Sequence, residues 1–153
     1  MWYIFGTAWR KSAPEVQPER TYKIGHAISE DGIHWTKEEA RQIISDRLWP
    51  DESQALPSLV RIEDVYHMFF CYRYSFDFRT NSSRGYRIGH AFSRDLKEWT
   101  RDDECMRLEG TPGEWDADMQ CYPHTFECNG CVYMLYNGNE FGRGGFGAAV
   151  LTS

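Results

Sequence analysis

A fifteen-residue segment occurs twice in this chain without a gap. Tyr22-Lys-Ile-Gly-His-Ala-Ile-Ser-Glu-Asp-Gly-Ile-His-Trp-Thr36 returns as Tyr86-Arg-Ile-Gly-His-Ala-Phe-Ser-Arg-Asp-Leu-Lys-Glu-Trp-Thr100, an offset of 86 − 22 = 64 residues with nine identities. A decayed third copy, Phe146-Gly147-Ala148-Ala149, aligns with Ile24 to Ala27. A fixed internal period means that one structural unit is built repeatedly, and this restricts the fold more than any other property of the chain.

Inside each copy the residues alternate. Tyr22, Ile24, His26 and Ile28 fall on one face and Lys23, Gly25, Ala27 and Ser29 on the other, the period of a strand with two different surroundings. Asp31 and Asp95 each open a turn, where an aspartate side chain can accept from backbone amides. A short strand ending at Thr36 or Thr100 follows. Upstream of the second copy, Ala55–Ile62 and Val65–Tyr72 read as two strands around a Glu63-Asp64 turn. Cys121–Phe126 matches Ala55–Val60 at an offset of 66, so Pro123 falls on Pro57. Asn129-Gly130 signals a two-residue hairpin, and Val132–Tyr136 matches Tyr66–Phe70, as does the opening Trp2–Phe5. Residues 38–51 connect the first unit to the second. The capping-box spacing after Thr36 allows a helix there, but the repeat ends a strand at Thr36 and favours an irregular connection.

The strand count is three, four and three. Repeated four-stranded antiparallel sheets describe a β-propeller, so the expected fold is all-β, a partial propeller of about three blades in one domain, 1–153, with blade segments at about 1–37, 53–101 and 118–153. The period exceeds that of WD-type blades, about 40–45 residues; the extra length lies in loops such as 75–85, where binding residues tend to sit. Three blades do not close a ring and leave edges and apolar faces open. We therefore expect closure by a homodimer, or by a missing half.

Composition narrows the partners. A formal charge of −6 argues against a nucleic-acid backbone. No leader and no apolar run of about 18 residues is visible, so no membrane span and a soluble, cytoplasmic protein are expected. Five scattered cysteines form no disulfide framework. Cys128-Asn-Gly-Cys131 has metal-ligand spacing but no second pair; neither a metal site nor any other cofactor is expected.

The segments Gly113–His124, Tyr133–Asn139, Gly144–Ala148, Asp51–Pro57 and Arg84–Gly89 together resemble the C-terminal half of five-bladed propeller glycoside hydrolases, the clan of arabinanases, xylosidases and invertases. The resemblance implies a carbohydrate ligand held at a central funnel. Glycoside hydrolysis needs a carboxylic acid at the leaving oxygen and a second carboxylate as nucleophile or base. In the resembled enzymes these acids lie near the starts of innermost strands. Glu52 and Asp118 occupy equivalent places, five residues before Pro57 and Pro123, and are the catalytic candidates. Candidate sugar contacts are Gln54 and His124 beside the prolines, Arg73, Asp77 and Arg79 in the 73–84 loop, Asn137 and Asn139 one blade on, and Trp115. Arginine suits a sugar carboxylate because it binds bidentately. The alternative to hydrolysis is a non-catalytic carbohydrate-binding or assembly module: close to the prolines stand Ala55-Leu56 and Cys121-Tyr122 rather than acids. His26, His90, Trp35 and Trp99 recur with the repeat and read as architecture, the tryptophans as packing between blades.

Overall fold

A computed structural model describes residues 1–39, 41–106 and 108–151. Among the described residues, ten strands form three antiparallel sheets of three, four and three strands. Blade I holds β1 (Trp2–Arg10), β2 (Glu19–Ile28) and β3 (Thr36–Lys37). Blade II holds β4 (Glu52–Ile62), β5 (Val65–Tyr74), β6 (Arg87–Ser93) and β7 (Thr100–Arg101) in that order. Blade III holds β8 (Cys121–Cys128), β9 (Cys131–Asn137) and β10 (Phe146–Val150). The chain is thus a partial β-propeller with unclosed sheets. No described helix is long and apolar enough to cross a membrane.

Up-and-down pairing assigns the connections to two ends. The turns at 63–64, 94–98 and 129–130 lie at one end of the blades. At the other end, the mouth, lie the crossings into β4 and β8, the 75–86 loop and the short distorted helical turn α1 (Asn139–Gly142). Asn129 and Gly130 take φ 52 and 76, the positive pair that the hairpin expectation requires. The 38–51 connection contains no described helix.

Blade packing follows from the alternation. Ile24 of blade I meets Met68, Phe70 and Ala91 of blade II around Ile44, and all are essentially inaccessible. Burying each large side chain here contributes about 1.5–3 kcal/mol. Between blades II and III, Ala55, Cys71, Phe78, Tyr86, Met119 and Cys121 pack near the mouth, and Ile88, Met134 and Tyr136 pack further out.

The repeated turn works the same way in both copies. Asp31 Oδ1 accepts from the amides of Ile33 and His34, and Asp95 Oδ1 from those of Lys97 and Glu98, with Ser29 and Ser93 bracing them. This winding consumes the residues before each tryptophan, so β3 and β7 are only two residues long. The two tryptophans do not share a role. Trp99 sits edge-on to Trp2, ring centroids 6.3 Å apart, between blades I and II. Trp35 is 41% exposed, because no blade covers the corresponding face of blade I.

Candidate functional site

The innermost strands β4 and β8 each bulge at their proline. Register slips between Ala55 and Ser58 and between Cys121 and His124, and the residues before the prolines, Leu56 and Tyr122, take φ 50 and 59. A left-handed residue that is neither Gly nor Asn, in front of a proline, is conformationally costly, and such positions concentrate at functional sites. The bulge half-exposes Leu56 and sets Tyr122 in a stack on Phe141 of α1.

Around that stack the mouth is walled by arginines laid on aromatic rings. The Arg73 guanidinium lies 3.6 Å from the Phe78 centroid and 5.3 Å from that of Tyr86. Arg79 lies 4.6 Å from Phe78 and 5.1 Å from Phe141. Arg73 donates to the carbonyls of Tyr74 and Arg20, yet its buried Nε has no acceptor. Arg79 is largely exposed and donates to Glu19 at 3.0 Å, tying blade I to the loop. Burial pushes the Tyr122 phenol up to about 12, and neighbouring Tyr86 adds to this, so the ring is neutral at physiological pH. Asp77, at φ 59, shapes the loop through its carbonyl, which accepts from Thr80 and Asn81.

A buried ionic network fills the adjacent crossing between blades I and II. Glu52 is wholly inaccessible. Its Oε1 accepts from Arg101 at 2.6 Å and Gln54 at 2.8 Å, and its Oε2 from the amides of Arg47 and Leu48 at 2.8 and 2.9 Å. Four donors occupy a carboxylate that offers about four lone-pair directions. Lys23 holds both oxygens of Asp46, and Arg101 also pairs with Asp103. Three cations, Lys23, Arg47 and Arg101, thus face the three anions Asp46, Glu52 and Asp103, and Arg47 at the rim also holds the exposed Glu104. Gln54 is equally buried, its Nε2 within reach of four acceptors. Above the network opens a cleft of about 610 Å³, lined by Asp46, Trp99 and the 79%-exposed Trp49.

The blade III counterpart differs. Asp118 is exposed; its amide donates to Asn139 and its carbonyl accepts from Arg87. The buried acid of this segment is Asp116, which accepts from the Thr111 amide and the Tyr136 hydroxyl. Asn139 clamps α1 to the 114–119 segment through both ends of its amide, and Asn137 donates to the Phe141 carbonyl. Trp115 stacks on Tyr136 and fills the space left by Gly138 and Gly147. His124 is exposed on β8 beyond the bulge, beside Phe126. The structure thus brings Arg73 and Arg79 together and gathers Glu52 with Gln54, while Trp115, Asn137 and Asn139 support the α1 wall. The repeat did not reveal the Phe78–Tyr86–Tyr122–Phe141 cluster, whose members lie in three different segments; the aromatic residues at every second position from Tyr72 to Phe78, with Arg73 and Arg79 among them, were its visible trace.

No protein-family model matches the sequence. Two curated relatives, uncharacterized proteins from two strains of Mycobacterium tuberculosis, are 36% identical over 152 residues. The match takes in 99% of this chain and 46% of each relative, so the chain spans about half their length. Among solved structures, a glycoside hydrolase superposes with TM-score 0.67 at 21% identity, over 99% of this chain and 40% of that one. A family 117 glycoside hydrolase from Zobellia galactanivorans gives 0.68 at 21% identity, over 86% and 39%. The fold is that of propeller glycoside hydrolases. A GH32 β-fructofuranosidase from Bombyx mori, in complex with sucrose, gives 0.57 at 16% identity over 97% of this chain and 31% of its own length. Those enzymes are thus matched over a minority of their length, as the resemblance to one half of a propeller led us to expect.

Proposed function

We propose that this chain is a carbohydrate-binding propeller segment, and that the sugar lies at the mouth against Arg79 and the half-buried rings of Phe141 and Tyr122, with Phe78 and Arg73 buried beneath them as the floor. The observation that carries this reading is the exposed Arg79 guanidinium set beside the Phe141–Tyr122 stack, held from below by Phe78 and Arg73. Aromatic faces pack on the C–H faces of a sugar, and arginines donate to its hydroxyl or carboxylate oxygens. Glu52 then acts as the brace that holds the 45–48 segment, and Asp118 as an exposed carboxylate at the edge of the site. Titration calorimetry with neutral arabino-, xylo- and fructo-oligosaccharides and with a uronic-acid oligosaccharide tests the proposal. Binding that weakens at least about tenfold in Arg79→Ala supports it, the loss of a charged hydrogen bond being worth about 1.5–3 kcal/mol. Absence of binding to all four classes, or binding indifferent to Arg79→Ala, refutes it.

Hydrolysis is the second reading, favoured by the fold likeness and by the equivalent strand-start places of Glu52 and Asp118. It predicts turnover of a chromogenic glycoside that Asp118→Asn abolishes. For closure we propose a second copy of the chain seated on the open outer faces. These carry Ile28, Ile33 and Trp35 at one end and Phe146, Val150 and Leu151 at the other. A clean 18.0 kDa species in sedimentation removes that proposal and leaves further blades of a longer chain to cover those faces.

A further inference from the structure

A second set of chemically capable groups lies outside the mouth. His90 on β6 is 3% exposed, and both of its ring nitrogens are engaged. Its Nε2 lies 2.9 Å from Nδ1 of His67 on β5. Its Nδ1 lies 2.9 Å from Sγ of Cys105, which stands on a 3₁₀ turn (Asp103–Cys105) following β7. The Asp102 carbonyl is within 3.1 Å of the same Nδ1, and one ligating atom from each of His90, Asp102 and Cys105 falls within 4.8 Å of the other two.

We propose that His90 Nδ1, Cys105 Sγ and the Asp102 carboxylate form a binding site for a thiophilic divalent cation of the zinc type, with His67 orienting His90 from behind. The donor set is nitrogen, sulfur and carboxylate oxygen, three protein ligands with one position left open, as in exchangeable or catalytic zinc sites. A ligating histidine nearly always has its other ring nitrogen held by a hydrogen bond, which fixes tautomer and orientation. His67 supplies that bond: ligation takes the tautomer with the proton on His90 Nε2, donated to His67, in place of the one whose Nδ1–H donates to the Asp102 carbonyl at 3.1 Å. Bond lengths of about 2.3 Å to sulfur and 2.1 Å to nitrogen in tetrahedral geometry place Sγ and Nδ1 about 3.6 Å apart. The observed 2.9 Å therefore opens by about 0.7 Å, a movement that an exposed cysteine on a short turn makes easily. Burial, then Asp102 and Asp103, push the Cys105 thiol up. The Asp102 carboxylate that opposes a bare thiolate attracts a cation, whereas Asp103 is already matched by Arg101. Entry is open, since Cys105 also lines a cleft of about 520 Å³ between blades II and III with Met106, Leu108 and Met134.

Cobalt(II) titration reads the site directly, because a thiolate–cobalt bond gives a near-ultraviolet charge-transfer band and a tetrahedral centre gives visible bands. We expect both at one equivalent, reversed by Zn²⁺, which also shields Cys105 from alkylation. Cys105→Ala removes the charge-transfer band. His67→Asn weakens binding by about 10–100-fold, the range for supporting groups, and Asp102→Asn, which removes a ligand, weakens it more than that. The double variant Cys128→Ala/Cys131→Ala leaves the band in place. A band that survives Cys105→Ala, one that vanishes with the Cys128/Cys131 pair, or no band at all overturns the assignment. Circular dichroism on the exposed Cys105→Ala variant separates lost ligation from lost folding.

Discussion

Replacing Glu52 by glutamine separates a brace from a catalyst. The carboxylate receives two donors on each oxygen, from Arg101 and Gln54 on one side and from the amides of Arg47 and Leu48 on the other. A glutamine keeps one acceptor oxygen and replaces the other with an NH₂. Whichever way the amide is placed, two donors then face a donor. The substitution also removes one of the two carboxylates paired with the buried Arg101 guanidinium. Breaking a buried ion pair by removing one partner costs about 3–5 kcal/mol, and Arg101, which keeps Asp103 at 2.8 Å, places the expected loss near the lower end. A loss of about 3 kcal/mol is a large share of a typical stability of about 5–15 kcal/mol. With a urea dependence of about 2 kcal/mol per molar, the midpoint falls by about 1.5 M. Equilibrium urea unfolding followed by tryptophan fluorescence measures it, and a double-mutant cycle with Arg101→Met isolates the pair, whose coupling should fall within about 0.5–3 kcal/mol. An unchanged midpoint together with lost turnover of a glycoside would refute the reasoning, since only a carboxylate free of its four donors could be removed so cheaply.

Other consequences of the packing are accessible to simple measurements. Cys71 and Cys121 are buried, and burial pushes both thiols up to about 12, so a thiol reagent should label Cys105, Cys128 and Cys131 in the native protein and all five cysteines only after unfolding. The same shifts lie above the ordinary thiol value of 9.0; their contribution to stability is whole below that value and drains as pH rises toward 12, which a thermal-midpoint series across that range should follow. Asp31 and Asp95 are shifted the other way, Asp31 chiefly by the His34 side chain and Asp95 by the Glu98 and Lys97 amides. Their contribution is present above the usual carboxylate value of 3.8 and is lost as pH falls through their lowered values, and Asp95→Ala should speed amide exchange at Lys97 and Glu98. At Gly138 an added Cβ overlaps the Trp115 ring and carbonyl, so Gly138→Ala should destabilise by about 1–3 kcal/mol and loosen α1.

Architecture was legible because a blade repeats its own requirements. The shared face of Ile24 and His26, the Asp31 and Asp95 turns and the Asn129-Gly130 hairpin each carry a local physical signature, and each sits in the structure where that signature places it. Position within the ring is a different kind of information. Trp35 and Trp99 stand in the same sentence of the repeat, yet Trp99 is packed against Trp2 and Trp35 faces outward, because burial of the fourth-strand turn depends on the neighbouring blade and not on the segment itself.

The same distinction governs the candidate sites. Glu52 and Asp118 are equivalent by offset from Pro57 and Pro123, but their surroundings come from crossings that do not repeat. The 41–51 part of the first crossing delivers two backbone amides and Asp46, which Lys23 of β2 holds beside Glu52, and Arg101 at the end of β7 completes the cage. Residues 102–120 instead bury Asp116 under Tyr136 and leave Asp118 at the surface. Likewise His26 and His90 match in sequence; only His90 has a histidine on the adjacent strand and a cysteine on the turn beyond, while His26 packs on Trp2. Chemistry in a repeat protein is therefore decided where the copies stop agreeing. The two tests that matter most, at Glu52 and at Cys105, both probe residues supplied by such non-repeating segments or locked in place by them.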